Sequence, residues 1–251
     1  MPRVAIEIIV LGDVHGQEER LGRALDLVRG ARPAVALLIG DVGVDPPWGT
    51  ERLTGRAAHD ASVGRVLTTV RDTLRTDVAF VPGNHDLRDP PPHSAGVNCD
   101  QRRSELAGLS IVGLGGAGPT KFGFPYEWAE KEADLVLRRL LGEGSPPPDV
   151  LLSHAPPRST PLDRTQRGEH VGSRAVRKWI ARARPRLVLC GHIHEAWGAA
   201  KLDGVPCVNA GALGEPYPQE IAWRIAWDAA GPTQVRSLRR TEDGEVEERT
   251  W

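Results

Sequence analysis

The sequence predicts an α/β fold whose strands are buried on both faces, and three observations support this. First, short apolar runs recur along the chain: IIVLG at 8–12, ALLIG at 36–40, VAFVPG at 78–83, VLLS at 150–153 and LVLC at 187–190. They are continuous rather than alternating, as expected of strands covered on both sides. Second, segments between them carry helical spacing, such as leucines 21, 25 and 27 with Val28. Third, each run is followed within a few residues by Asp, Asn or His, and in open α/β sheets ligands gather beyond the carboxyl ends of the strands.

Taken in order, 4–11 is the first strand and 17–29 a helix stopped by Gly30. A second strand at 34–39 leads to a Pro- and Gly-bearing loop at 43–60, expected to lie over the strand ends. An amphipathic helix at 62–74 then returns the chain to a third strand at 78–81. Residues 87–100 are proline-rich and irregular, with short strands near 104–106 and 109–113. The stretch 113–126, GLGGAGPTKFGFPY, holds too much Gly and Pro for regular structure. A charged helix follows at 127–141, and 173–184 is a second one with Ser173 as N-cap. Runs at 199–202, 205–209, 221–228 and 234–238 read as an antiparallel set, with Asp203-Gly204 a hairpin signal. The last dozen residues are charged and expected to fray.

The chain has 251 residues, 40% hydrophobic and 26% charged, enough apolar material for a sizeable core. The polar clusters spread from Asp13 to His194, so any cut would split them. One domain over 1–251 is expected, with the motifs within about 4–215 and C-terminal strands within about 199–240. A formal net charge of −1 gives no reason to expect nucleic-acid or anionic-membrane binding. No apolar stretch reaches the roughly 20 residues needed to span a bilayer. Glu7 interrupts the early apolar run, which argues against a signal peptide, and three cysteines form no CxxC pair. A cytoplasmic location follows by elimination.

The strand ends bring together Asp13, His15, Asp41, Asn84, His85, His154, His192 and His194. Asp13 and His15 are one residue apart and can address one cation, while Asp41 has two oxygens with which to bridge two. Carboxylate, amide and imidazole without thiolate suit Mn, Fe or Zn without choosing among them. Two such ions lower the pKa of a bridging water and clamp a phosphoryl oxygen.

In this order GDVHG, GD, GNHD, a lone His after a strand and GHIH resemble the calcineurin-like metallophosphoesterase superfamily. The resemblance implies a four-layer α/β/β/α sandwich of two mixed sheets flanked by helices. It implies two divalent metal ions, manganese among them. One would be held by Asp13, His15, Asp41 and His194, the other by Asp41, Asn84, His154 and His192. It further implies a metal-bridging hydroxide as nucleophile, His85 as a non-ligand that stabilises the transition state or protonates the leaving oxygen, and Asp86 as the group holding the His85 ring.

Ser/Thr phosphoprotein phosphatases share the GDVHG opening but continue with GDxVDRG and GNHE. This chain has GDVGVDPP and GNHD, without the arginine after Asp41. It is more similar to small prokaryotic phosphoesterases and cyclic-nucleotide-phosphodiesterase-like proteins. The expected substrate is therefore a small-molecule or nucleotide phosphodiester, touched by Asn84, His85 and Arg158. A phosphomonoester, a nucleic acid as substrate, and a binding scaffold that has lost catalysis are the alternatives. Solvated charge is an equal reading for Arg158, and Asp45 reads as a solvated loop acid. His59, His93 and His170 read as surface histidines, and Cys190 as a core thiol. Close backbone packing is the expected reason for the glycines at 113–118, and Trp223 and Trp227 should share one packed face of a strand.

Overall fold

Consecutive side chains of a strand face opposite ways, so each apolar run fills two layers of the core. The computed structural model describes residues 5–45, 52–142 and 144–251. The order is β1 (Ile6–Gly12), α1 (Glu18–Leu27), β2 (Val35–Ile39), α2 (Arg52–Leu74) and β3 (Asp77–Val81). Next come β4 (Val97–Asn98), β5 (Arg103–Leu106), β6 (Leu109–Leu114), α3 (Glu130–Leu141), β7 (Val150–Ser153), α4 (Arg174–Ala183) and β8 (Leu187–Cys190). The chain finishes with β9 (Gly198–Leu202), β10 (Val205–Asn209), β11 (Glu220–Asp228), β12 (Gly231–Arg240) and β13 (Val246–Thr250).

Ile9, Leu11, Leu38 and Phe80 pack against Leu21, Leu25, Val66 and Val70 of α1 and α2. The alternate residues Ile8, Val10, Leu37 and Ile39 meet Ile111, Leu152 and Leu189 of a second sheet. Val112, Leu151 and Val188, on the far side of that sheet, pack on Leu137, Val176 and Ile180 of α3 and α4. Burying each such aliphatic side chain contributes about 1.5–3 kcal/mol. The layers run helix, sheet, sheet, helix, as the resemblance implies.

One sheet has seven strands in the order β13-β12-β11-β1-β2-β3-β4, and the other six in the order β5-β6-β7-β8-β10-β9. Both are mixed. β1, β2 and β3 run parallel with Gly12 opposite Ile39 and Ile39 opposite Val81. That register carries Asp13, Asp41 and Asn84 out of the sheet side by side. β7 and β8 are parallel in the second sheet with Leu152 opposite Leu189, which delivers His154 and His192 to the facing edge.

Several expectations need correction. α2 begins at Arg52, inside the predicted loop; the part of that loop at 46–51, like Val4 of the first strand, lies outside the described residues. Between 55 and 62 its buried positions are Gly55, His59 and Ser62, so no apolar stripe marks that stretch. The third helix starts at Glu130 because Ala117 and Glu127 form a bridge. Asn98 and its neighbour Val97 form a short parallel strand beside β3. The C-terminal runs are not one antiparallel set: the β9–β10 hairpin joins the six-stranded sheet and β11–β12 the seven-stranded one. The last dozen residues are not frayed, since β13 pairs with β12 and the Trp251 N–H donates to the Val235 carbonyl. Ser173 does cap α4, accepting from the Val176 N–H. Trp223 and Trp227 both lie in the layer between the sheets, and Cys190 is a buried thiol. No helix among the described residues is long and apolar enough to cross a membrane.

Candidate metal centre

The site forms where the carboxyl ends of both sheets meet. Asp13, Asp41 and His192 leave their strands with φ of 40°, 45° and 68°, and His15 has φ 48°. Left-handed backbone at a non-glycine residue costs about 1–3 kcal/mol, so the surrounding packing must hold these turns. Two neighbouring glycines show how tight it is. A Cβ on Gly83 would stand 2.0 Å from Asp41 Oδ1, and one on Gly191 would stand 2.2 Å from Asp13 Oδ2. Each motif glycine makes room for a carboxylate from another strand. Gly113 and Gly115 are packed in the same way against the Cys99 and Pro82 carbonyls.

Histidine orientation is the most informative feature. His154 Nδ1 lies 3.1 Å from the Ile39 carbonyl and His194 Nδ1 2.5 Å from the Pro216 carbonyl. A carbonyl only accepts, so both Nδ1 atoms carry hydrogen and donate. His15 Nδ1 likewise donates to the Asp45 carboxylate at 3.2 Å. In all three rings Nε2 is left to face the centre. His15 Nε2 is 3.6 Å from Asp41 Oδ2, His154 Nε2 3.4 Å from the same oxygen, and His194 Nε2 3.4 Å from Asp13 Oδ1. An acceptor on the outer nitrogen is the usual support of a metal-ligating imidazole.

Asp13, His15, Asp41 and His194 are all buried and can each offer a ligand atom within 4.8 Å of the others. Asn84 Oδ1 sits 2.9 Å from His154 Nε2, and the His192 ring lies 5.1 Å from that of His154, centre to centre. His15 Nε2 and Asn84 Nδ2 are buried without hydrogen-bond partners. This donor set, with an orphaned imidazole nitrogen turned inward, fits divalent cations.

Charge follows the same geometry. Burial opposes the charged form of His15, but the Asp45 hydrogen bond and the charges of Asp41 and Asp13 lift its pKa to about 9. Burial also opposes charge on His154, where Asp41 and Asp13 prevail and lift it to about 9. His192 goes the other way, to about 3, because burial and the neighbouring His154 both disfavour its protonation. Although burial disfavours the Asp41 anion, the facing His154 and His15 hold its carboxyl well below the usual range.

Two predicted roles change. Asp86 does not hold the His85 ring. Its carboxylate accepts the backbone N–H groups of Val42, Gly43 and Gly83, bracing the loops that carry Asp41 and Asn84. The His85 Nδ1 donates instead to Asp45 Oδ2 at 3.0 Å. Asp45 thus bridges His15 and His85 and is no idle loop acid. Its spacing four residues after Asp41, in a loop that needs an Nδ1 acceptor, was the signal available. His59 is buried rather than superficial: its Nδ1 donates to the Val44 carbonyl while Ser62 Oγ accepts from the Val44 N–H. Together they clamp the residue before Asp45. His170 donates to Asp163. The Arg158 guanidinium donates to the Gly172 carbonyl at 3.5 Å, within its own loop. Phe124, which the sequence did not single out, stacks on His85 with ring centres 3.9 Å apart.

Comparison with known proteins bears on the fold and the family. An uncharacterized protein of Methanocaldococcus jannaschii, MJ1162, is 32% identical over 140 residues, a match that covers 53% of this chain and 63% of that protein. The crystal structure of TT1561 of Thermus thermophilus superposes with a TM-score of 0.63 at 18% identity, covering 98% of this chain and 99% of that one. Another solved structure reaches 0.66 at 14% identity, covering 99% of both chains. Those two likenesses concern the fold. The calcineurin-like phosphoesterase family matches residues 6–196, which includes every candidate ligand. The chain belongs to the calcineurin-like phosphoesterase family.

Proposed function

We propose that the chain, acting as one domain in the cytoplasm, is a dinuclear metal-dependent phosphodiesterase for small-molecule or nucleotide esters. The observation that carries this reading is the set of three imidazoles fixed through Nδ1, with their Nε2 atoms turned onto Asp13 and Asp41. One cation would be held by Asp13, His15, Asp41 and His194, the other by Asp41, Asn84, His154 and His192. Divalent ions there, Mn, Fe or Zn, would lower the pKa of water and draw charge from the phosphoryl oxygens.

The rest is the work of the chain. The His85 N–H donates to Asp41 Oδ1 at 2.8 Å and steadies the shared carboxylate. Asp45 accepts from the His85 Nδ1 and orients the ring, so that in its imidazolium form the ring gives its Nε2 proton to the departing alkoxide and keeps the Nδ1 hydrogen bond. Asp86 acts through the backbone of the ligand loops rather than on the substrate. Among the described residues no arginine is hydrogen-bonded to a candidate ligand.

The test is metal-stripped protein reloaded separately with Mn, Fe, Zn and Mg, then assayed on bis-p-nitrophenyl phosphate and p-nitrophenyl phosphate. Metal-dependent cleavage should favour the diester, and His85→Ala should lower turnover while metal content stays near two per chain. Faster monoester cleavage would move the reading to a phosphatase. Loss of metal from His85→Ala would remove its role as a non-ligand.

A further inference from the structure

Beside His85 the chain builds a feature that metal binding does not need. The chain has three phenylalanines; Phe80 is in the core, and the other two, Phe122 and Phe124, lie in one short loop. Phe122 is 61% exposed, the most exposed large hydrophobic side chain among the described residues. Its ring is 5.6 Å from that of Phe124, which in turn stacks on His85 at 3.9 Å and 30°. Lys121 Nζ sits 5.1 Å from the centre of the Phe122 ring.

The loop is built rather than slack. At one end the Thr120 N–H and hydroxyl both donate to Glu127, at 2.9 and 2.6 Å, and the Phe122 N–H donates to the Thr120 hydroxyl. At the other end the Tyr126 N–H donates to the Asn84 carbonyl, and its hydroxyl donates to the buried Asp100. The loop is therefore tied directly to the segment carrying Asn84 and His85. Solvent exposure of a phenylalanine on an anchored loop is unfavourable for the isolated protein; an aromatic ligand reverses the sign.

We propose that residues 120–125 are the specificity element of the site: Phe122 and Phe124 form an aromatic wall on the leaving-group side of His85 that stacks the base of a nucleoside ester. The inference rests on the phosphodiesterase reading and narrows it to substrates in which one esterified alcohol is a nucleoside. Flat π systems gain most from such a wall, because base–aromatic stacking adds to area burial and tolerates different bases. Lys121 favours an anionic ligand over a cationic one along the same edge.

Equilibrium binding to Mn-loaded protein tests this without turnover. The probes are adenosine 5′-monophosphate, ribose 5-phosphate, which keeps the sugar and phosphate but lacks the base, and inorganic phosphate. The parent should bind the adenosine compound at least about fivefold more tightly than ribose 5-phosphate. Phe122→Ala should bring that ratio close to one, and Phe122→Trp should restore it. Equal binding of the two in the parent, or an undiminished ratio in Phe122→Ala, would overturn the wall. If the Mn-loaded parent bound none of the three probes, the metallophosphoesterase reading itself would fall, and the wall with it.

Discussion

Substituting Gly83 by alanine places one methyl group against the Asp41 carboxylate. The new Cβ would lie 2.0 Å from Asp41 Oδ1, 2.3 Å from the Asp41 nitrogen and 2.5 Å from Cγ. Real contacts of this kind do not fall below 3.0 Å, so the carboxylate must retreat by at least 1.0 Å, the difference between 3.0 and 2.0. It cannot do so freely, since the His85 N–H holds one oxygen at 2.8 Å and His154 Nε2 lies 3.4 Å from the other. Overpacking of this kind costs about 1–3 kcal/mol. For a chain of this length each kcal/mol shifts Tm by about 2–4 °C, so a fall of about 2–12 °C is expected. The site should suffer more than the fold, because a misplacement of about 1 Å can lower rate on the order of a hundredfold. Gly118→Ala is the control: a Cβ there meets nothing within 4 Å, and the change should be neutral or stabilise by up to about 1 kcal/mol. Calorimetric Tm, metal content by mass spectrometry and the diester rate would be compared across the three proteins. A Gly83→Ala enzyme with parental metal content and rate would refute the claim that this glycine makes room for Asp41.

Asp45→Ala removes the acceptor from both His15 and His85, so metal affinity and turnover should each fall about 10–100-fold. The acidic and basic limbs of its pH–rate profile should also move, which a purely structural role would not produce. Asp86→Asn instead sets an amide N–H against backbone donors of two loops; calorimetry should show a stability loss of about 1–3 kcal/mol. Metal-free protein holds protons on His15 and His154 up to a pH of about 9. Titrating Mn into it near neutral pH should release at least about two protons per chain, with His194, whose pKa Asp13 raises against burial, adding to the count, and apparent affinity should rise with pH until about 9. Because both pKa values are raised, these histidines stabilise the metal-free fold below their unfolded pKa of about 6.5 and lose that contribution as pH climbs through about 9. Titrations in buffers of different ionisation enthalpy would read the proton count, and a count of zero would contradict the assignment.

The core strands, the strand-end positions of Asp13, Asp41, Asn84, His154 and His192, and the helix capped by Ser173 were all legible in the sequence. Each is announced by an apolar run, a periodicity or a cap within a few residues, and such signals survive without knowledge of the fold. Reading His59 as superficial failed for the complementary reason. It occupies a core position of α2 four residues after Gly55, and neither residue type declares a buried face.

Asp86 and Asp45 mark the limit most clearly. Adjacency in the chain favoured Asp86 as the partner of His85, yet the backbone turns its carboxylate onto Val42, Gly43 and Gly83. Asp45 reaches His85 from 40 positions away, because β2 and β3 exit in register and α2 clamps Val44. By itself the sequence determined the candidate ligand types, their order and the strands that end in them, since all are local. Only the tertiary structure decided which sheet takes each C-terminal hairpin, which nitrogen of each histidine faces inward and which carboxylate orients His85. Those depend on the register and packing of strands far apart in the chain, where no local pattern carries the information.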